Sequence, residues 1–383
     1  MRDKLRVLTI GHSYVVATNQ AVPAAIAKDP DIDVTVAAPR FHYGDLRRLK
    51  LERLTHPDYD IVPLDAKLTR WNQLFWYDNG ALRKLIRSGD FDVVHAWEEP
   101  YCLAGYQIAR AVHKTACRFM FRTAQSLTKR YPWPFSEFER ASVARADGWI
   151  AGGHLVYEAM VRKGFPSDTG RVITLGVDME QFRPLDATER DKVRRSLGLV
   201  EPVVGFLGRL VRAKGLDLLM AALSQVREEW SLLVLGAGPY EQVFETWAAR
   251  HRVRDRVRVL LVRHDEVPRY LGAMDMLVAP SQTTASWKEQ FGRMVIEAFA
   301  CGVPVIGSDS GEIPRVIGDA GIVVEEGDVK GWTRAIEQLL RDVATRGRLA
   351  ERGLERCRAN YSVDRIAERY IEFYRLLVTG FHS

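Results

Sequence analysis

Short β-branched runs alternate with helix-length stretches along the whole chain, and they do so in two successive series. The first series reads LRVLTI (5–10), DVTVAA (33–38), DVVHA (92–96), CRFMFRT (117–123) and GWIAG (148–152). The second reads VVGFLG (203–208), SLLVLGAG (231–238), VRVLLV (257–262), MLVAP (276–280) and VPVIG (303–307). The connections are too long for hairpins and carry helical patterns, as at 100–113 and 136–146, so the strands should run parallel with helical crossovers. At 383 residues the chain exceeds what one core usually supports. The expected architecture is α/β, with two doubly wound parallel-sheet (Rossmann-like) domains. The Gly, acidic and Pro stretch at 176–186 is the expected linker, which gives domains over 1–180 and 181–361. In the tail, 362–383, Ile366, Tyr370, Phe373, Tyr374 and Leu377 share one stripe, so it should close the fold as an amphipathic helix packing back toward the N-terminal domain.

A 47% hydrophobic and 27% charged composition excludes a disordered chain. The four cysteines lie far apart and fit neither a disulfide framework nor a zinc site, so no metal is expected. The opening MRDKLRVLTIGHSYV is too short in its apolar run for a signal peptide, and no later run reaches about 18 uncharged apolar residues. These features predict a cytoplasmic protein, at the inner face of a membrane if its surface binds lipid. Residues 1–185 hold 26 Lys and Arg against 21 Asp and Glu, and the remainder 29 against 28, so the net charge of +6 sits almost entirely in the first half. Much of it lies among aromatics at 40–54 and 71–87, a mixture suited to an anionic membrane surface; a solvated rim with buried aromatic anchors is the alternative, and no nucleic acid partner is expected.

Doubly wound sheets bind ligands at the carboxyl ends of their strands. After 203–207 come Gly208, Arg209, Lys214 and Gly215, a glycine and two cations just before a helix, an arrangement that suits a diphosphate as well as it suits an ordinary solvated turn. It lacks the spacing of a Walker A loop. Further on, Glu289 precedes a helix and Glu297 lies inside it, eight residues or about 2.2 turns later, so both carboxylates fall on one side. Two such carboxylates can accept from pairs of sugar hydroxyls; a dipole-favoured acid plus a surface Glu is the plainer reading.

EQFGRMVIEAFACGVPVIGSDSGEIPRVIG resembles the Glu-x7-Glu region of the retaining glycosyltransferases of family 4, which have the GT-B fold with an interdomain cleft. GRLVRAKG is similar to that family's diphosphate-binding segment, VITLGVDMEQFRP to its hinge, and DMLVAPS fits the stretch before the acidic motif. The resemblance is nearly continuous from 171 to 330; in the first half FDVVHAWEEPY and RTAQSLTKRYPWPF look like a subgroup of these enzymes.

By that resemblance Glu297 binds the ribose hydroxyls of a nucleotide, Glu289 holds hydroxyls of the donor sugar, and Phe291 and Gly292 seat that sugar through backbone. Arg209 and Lys214 neutralise the diphosphate, with Gly208 beside them, in place of a metal. Residues 261–263, before His264, form the lip for the base. The implied donor is a nucleoside-diphosphate sugar of UDP or GDP type, used as substrate with no separate cofactor, and the implied acceptor is a glycan or lipid-linked hydroxyl. Two departures stand out. Gly11-His12-Ser13-Tyr14 has one glycine where relatives often have two, and Gln125 occupies a place where many have histidine. Arg293 stands where many relatives are apolar, either as a phosphate contact or facing solvent. Gly11 is expected in the site floor, and His12, His95, Glu98 and Gln125 are candidates for touching acceptor or sugar; capping of the next helix is the alternative for Glu98 and Glu99. No carboxylate stands out as a nucleophile, so same-face attack assisted by a phosphate oxygen is expected. The resulting expectation is a retaining, metal-independent glycosyltransferase of cell-surface glycan or glycolipid assembly. The alternative is a sugar-nucleotide-binding or epimerase-like protein of the same fold.

Overall fold

The structure is a computed structural model that describes residues 4–44, 48–54, 58–285 and 287–381. It divides into two compact units, one running to Thr174 and resuming at Val363, the other spanning Leu175–Ser362. The boundary lies ahead of the expected residue 180, because Leu175 already packs in the core of the second unit.

In the first unit, strands Leu5–Ile10, Ile32–Pro39, Asp60–Leu64, Val93–Ala96, Arg118–Thr123, Gly148–Ala151 and Gly170–Val172 form one parallel sheet. Counted along the chain, they lie in the order 3-2-1-4-5-6-7. In the second unit, Val203–Leu207, Ser231–Leu235, Val257–Leu260, Met276–Ala279, Val305–Ser308 and Ile322–Val324 repeat the scheme as 3-2-1-4-5-6. Central strands such as Val305–Ser308 are buried throughout, which is why they read as unbroken apolar runs. Asp60–Leu64 and Ile322–Val324 escaped the reading of the sequence, whereas Gly170–Val172 begins the RVITL run before the linker. Each is a sheet edge, where one neighbour and part of the cover are missing, and Pro63 is tolerated there for the same reason.

The closing helix, Val363–Thr379, buries Ile366, Tyr370, Phe373, Tyr374 and Leu377. Together with the short helix Ala21–Ile26 it covers one face of the first sheet. The basic aromatic region takes an unexpected form. It folds as two antiparallel ribbons, Phe41–Tyr43 with Arg48–Lys50 and Ala66–Lys67 with Trp76–Tyr77, followed by helix Asn79–Ser88. That helix turns Leu82 and Ile86 into the core and leaves Arg83, Lys84 and Arg87 outside. Residues 45–47 of the 40–54 segment lie outside the described residues.

Candidate functional site

In the second unit, the loop after Val203–Leu207 lies backbone against backbone on the loop after Ser231–Leu235. Gly208 N–H donates to Leu235 O (3.0 Å) and Leu210 N–H to Ala237 O (2.9 Å). A Cβ on Gly236 would stand 1.9 Å from Gly208 O, and one on Gly238 2.5 Å from Leu210 O. The Gly236-Ala-Gly238 run therefore fixes where Arg209 leaves the sheet, a part the sequence reading had merged into its strand; glycines on both sides of one residue just past a strand were the available signal.

A single 3-10 turn, Arg212–Lys214, then ends at Gly215 (φ +73°) before helix Leu216–Leu223. A Cβ on Gly215 would come 1.7 Å from Pro280 O, at the end of a neighbouring strand. Gly215→Ala therefore combines left-handed strain with a backbone collision. It is expected to cost at least about 3 kcal/mol, read as a fall in urea midpoint, because neither partner can rotate away.

This turn delivers Lys214 to Glu289. Lys214 Nζ donates to Glu289 Oε2 (2.5 Å), Ser281 Oγ donates to the same oxygen (3.0 Å), and the ammonium lies 5.1 Å from the Trp287 ring. The backbone of Glu289 is clamped as well: Glu312 N–H donates to its carbonyl (3.1 Å), and Gly311, at φ +60°, approaches so closely that a Cβ there would be 1.9 Å from it. Gly292 (φ +86°) then starts helix Arg293–Ala300. The expected diphosphate cation and sugar-holding acid thus satisfy each other in the protein alone.

Glu297, 4% exposed, accepts from Arg293 Nε (2.9 Å), and His264 Nε2 is 3.4 Å from the same guanidinium. Burial raises the Glu297 pKa, opposed by Arg293. Burial and Arg293 together push His264 down to about 4, so its imidazole is neutral at physiological pH. Arg293 is accordingly tied to Glu297 rather than simply facing solvent. The Phe291 side chain is buried against Tyr361 (5.8 Å), leaving only its backbone for a ligand. Residues 261–263 follow strand Val257–Leu260 as irregular backbone with Leu261 exposed. Among the described residues no group of three or more His, Cys, Asp or Glu is placed to hold a metal.

In the first unit, Gly11 ends its strand against Trp97, whose Cβ would lie 2.8 Å from a Cβ at residue 11. Glu98, 2% exposed, accepts from His12 N–H (2.6 Å), from His12 Nδ1 (2.6 Å) and from Tyr77 Oη (2.8 Å). Burial alone would lower the His12 pKa; Glu98 more than offsets it and raises it above the ordinary value. Glu99 accepts from Thr123 Oγ1 (2.7 Å), Ala124 N–H (2.8 Å) and Gln125 Nε2 (3.1 Å). Neither acid caps the next helix, which starts at Leu103 after Cys102. Gln125 also accepts from Tyr131 Oη, so both ends of its buried amide are engaged within the protein.

His95 is a clear correction. Only 1% exposed, it sits beneath the closing helix, 2.9 Å from Tyr374 Oη and among Trp97, Tyr370 and Tyr374, away from any ligand contact. Burial lowers its pKa to about 3. The folded state then binds fewer protons than the unfolded one between the two pKa values, so the stability His95 contributes is complete above about pH 6.5 and falls as pH drops toward 3, by on the order of 4 kcal/mol. Urea midpoints measured from pH 7 to pH 4 are expected to fall, with a shallower slope in His95→Asn.

Comparison with known proteins matches residues 189–356 to the model described as glycosyl transferases group 1, and residues 25–181 to glycosyltransferase family 4. A D-inositol 3-phosphate glycosyltransferase of Xylanimonas cellulosilytica is 34% identical over 62% of this chain, which spans 58% of that protein's length. The lipopolysaccharide core biosynthesis mannosyltransferase LpsB of Rhizobium meliloti is 27% identical over 90% of this chain and 98% of its own. The crystal structure of Anabaena HepE with UDP and glucose superposes with a TM-score of 0.72 at 21% identity, covering 96% of this chain and 98% of that one. With both halves matched in order and the twice-repeated parallel sheet described above, the chain belongs to the family 4, group 1 glycosyltransferases and has their GT-B fold.

Proposed function

We propose that the protein transfers a sugar from a nucleoside-diphosphate donor to an acceptor hydroxyl in glycolipid or cell-surface glycan assembly, with retention and without a metal. The observation that carries this reading is the pairing of two acids with two cations at the strand ends of the second unit, Lys214 with Glu289 and Arg293 with Glu297. An arriving donor can take over each pair: its diphosphate draws on Lys214 and Arg209, which frees Glu289 to accept from sugar hydroxyls, while Glu297 accepts from ribose. Because each carboxylate already has a cation beside it, neither needs to be desolvated afresh. In the reaction, negative charge grows on the departing diphosphate, and the two cations stabilise it more in the transition state than in the ground state. The names of the relatives support transfer in inositol phosphate and lipopolysaccharide chemistry, and the UDP bound to HepE supports a nucleoside-diphosphate donor.

Incubation with UDP- and GDP-sugars, followed by assay of released nucleoside diphosphate, tests the reading. Consumption of one donor is expected, and binding or consumption of none would overturn it.

The acceptor side favours a membrane surface. Phe41, Leu68, Trp71 and Leu74 are each 38–55% exposed on the two ribbons of the first unit, among the exposed Arg40, Arg48, Lys50, Lys67 and Arg70. No described helix is long and apolar enough to cross a bilayer, and the apolar side of Asn79–Ser88 is already buried, so docking falls to the ribbons. Flotation with anionic vesicles at low salt is expected to carry the protein, Trp71→Ala to weaken it, and neutral vesicles to leave it behind.

A further inference from the structure

Trp287 stands between strand Met276–Ala279 and helix Arg293–Ala300, and the Lys214 ammonium lies over its ring face, 5.1 Å from the centroid. The ammonium does not need that ring. Glu289 Oε2 is 2.5 Å away, and a carboxylate at hydrogen-bond distance satisfies the charge better than an aromatic face does. The backbone around the tryptophan is nonetheless held firmly. Thr284 N–H donates to Trp287 O (2.7 Å), Trp287 N–H donates back to Thr284 Oγ1 (3.0 Å), and Gln282 N–H donates to Ala213 O (2.8 Å), next to Lys214 itself. Thr283 Oγ1 is 3.0 Å from Ser310 Oγ and donates to Glu326. Trp287 is half-buried, and among the described residues its indole N–H has no hydrogen-bond partner. A fixed tryptophan that offers a face and a donor at the rim of a polar site suits a ligand with one apolar side.

Its position selects the ligand. Trp287 belongs to the Lys214 and Glu289 end of the site, whereas Arg293, His264 and Glu297 make up the other end, and all of them lie in the second unit. With ribose on Glu297, the Glu289 end is left for the sugar. A pyranose carries hydroxyls around its edge and C–H bonds on its faces, so it calls for two kinds of partner. Glu289 suits the edge, and an indole suits the face. We propose that Trp287 is the wall of the donor-sugar subsite: the diphosphate draws the Lys214 ammonium off the ring, and the uncovered face packs on the C–H face of a pyranose whose hydroxyl edge meets Glu289. This rests on the transferase reading above, and it makes Trp287 the residue that tells a sugar nucleotide from the bare nucleotide. No bond is made or broken in the exchange. A cation leaves one side of the ring, a neutral C–H face takes its place, and water is released from both surfaces.

Calorimetry on the whole chain with UDP, GDP, UDP-glucose and GDP-mannose tests the proposal. For whichever sugar nucleotide the unmodified protein binds, Trp287→Leu is expected to weaken affinity about tenfold, while the matching nucleoside diphosphate stays within about twofold. Trp287→Phe keeps an aromatic face and is expected to bind the sugar nucleotide within about threefold of the unmodified protein. Equal weakening of both ligands in Trp287→Leu would mean that the ring acts on the nucleotide or through Lys214, and it overturns the proposal; so does an unchanged affinity for the sugar nucleotide. Should Trp287→Leu not fold, the indole 15N signals of the unmodified protein decide. One of the nine, assigned by its loss in Trp287→Phe, is expected to shift further with the sugar nucleotide than with the bare diphosphate, and the same position with both overturns the assignment. If the unmodified protein binds neither sugar nucleotide, the transferase reading itself has failed. If it binds one and the Trp287 variants bind it equally well, only the role of Trp287 has failed.

Discussion

Lys214→Ala is expected to reduce turnover by about 10²–10³-fold, the range seen when one preorganised donor to a developing oxyanion is removed. The ammonium sits at the end of a turn held by Gly215 against Pro280, so little reorganisation is needed when the diphosphate departs. The same substitution strands Glu289, whose side chain is only 10% exposed, and part of any loss would reflect that unpaired acid. Lys214→Ala with Glu289→Gln removes the stranded acid together with a side chain proposed to hold the donor sugar, so its melting temperature reads the unpaired charge and Glu289→Gln alone is the reference for its turnover. If charge stabilisation dominates, the double variant recovers melting temperature but stays well below Glu289→Gln in turnover; if it matches Glu289→Gln, Lys214 has no role with the leaving group. Arg209→Ala should resemble Lys214→Ala in turnover.

Glu297→Gln is expected to weaken nucleotide binding by about 100-fold or more, because one carboxylate that accepts two hydroxyl donors loses its charge-assisted bonds. Calorimetry with UDP and GDP reads this directly, and unchanged affinity for whichever nucleotide binds would remove the ribose assignment. Arg293→Ala makes a sharper case. Burial raises the Glu297 pKa and Arg293 opposes it, so without the guanidinium the carboxyl moves further up. Affinity in that variant should fall as the pH drops through the elevated pKa, while the unmodified protein holds its affinity to lower pH.

Much of this site was legible in the sequence because its chemistry is local. Arg209, Lys214 and Gly215 lie within one loop, and Glu289 and Glu297 flank one helix start, so short-range spacing placed them near the ends of neighbouring strands. The pairing of Lys214 with Glu289 was not legible, since it joins residues 75 apart that meet only once two strand ends are neighbours. His95 failed for a related reason. A strand-end histidine points to one face of its sheet or the other, and which face is covered depended here on a helix 279 positions later. His12 and Glu98 were both read as candidate contacts, yet their side chains are 28% and 1% exposed, a difference that depends on Tyr77 and the His12 amide closing over the acid.

The closing helix imposes an order on synthesis. The first unit is complete only when Val363–Thr379 covers Val7, Tyr14, Val34 and His95, and those residues emerge from the ribosome long before their cover does. Domains usually fold in the order they are made. In this chain the second unit can finish first, while the earlier-made sheet waits with one apolar face open. A premature stop before residue 363 would therefore damage the half of the protein whose sheet had been translated first.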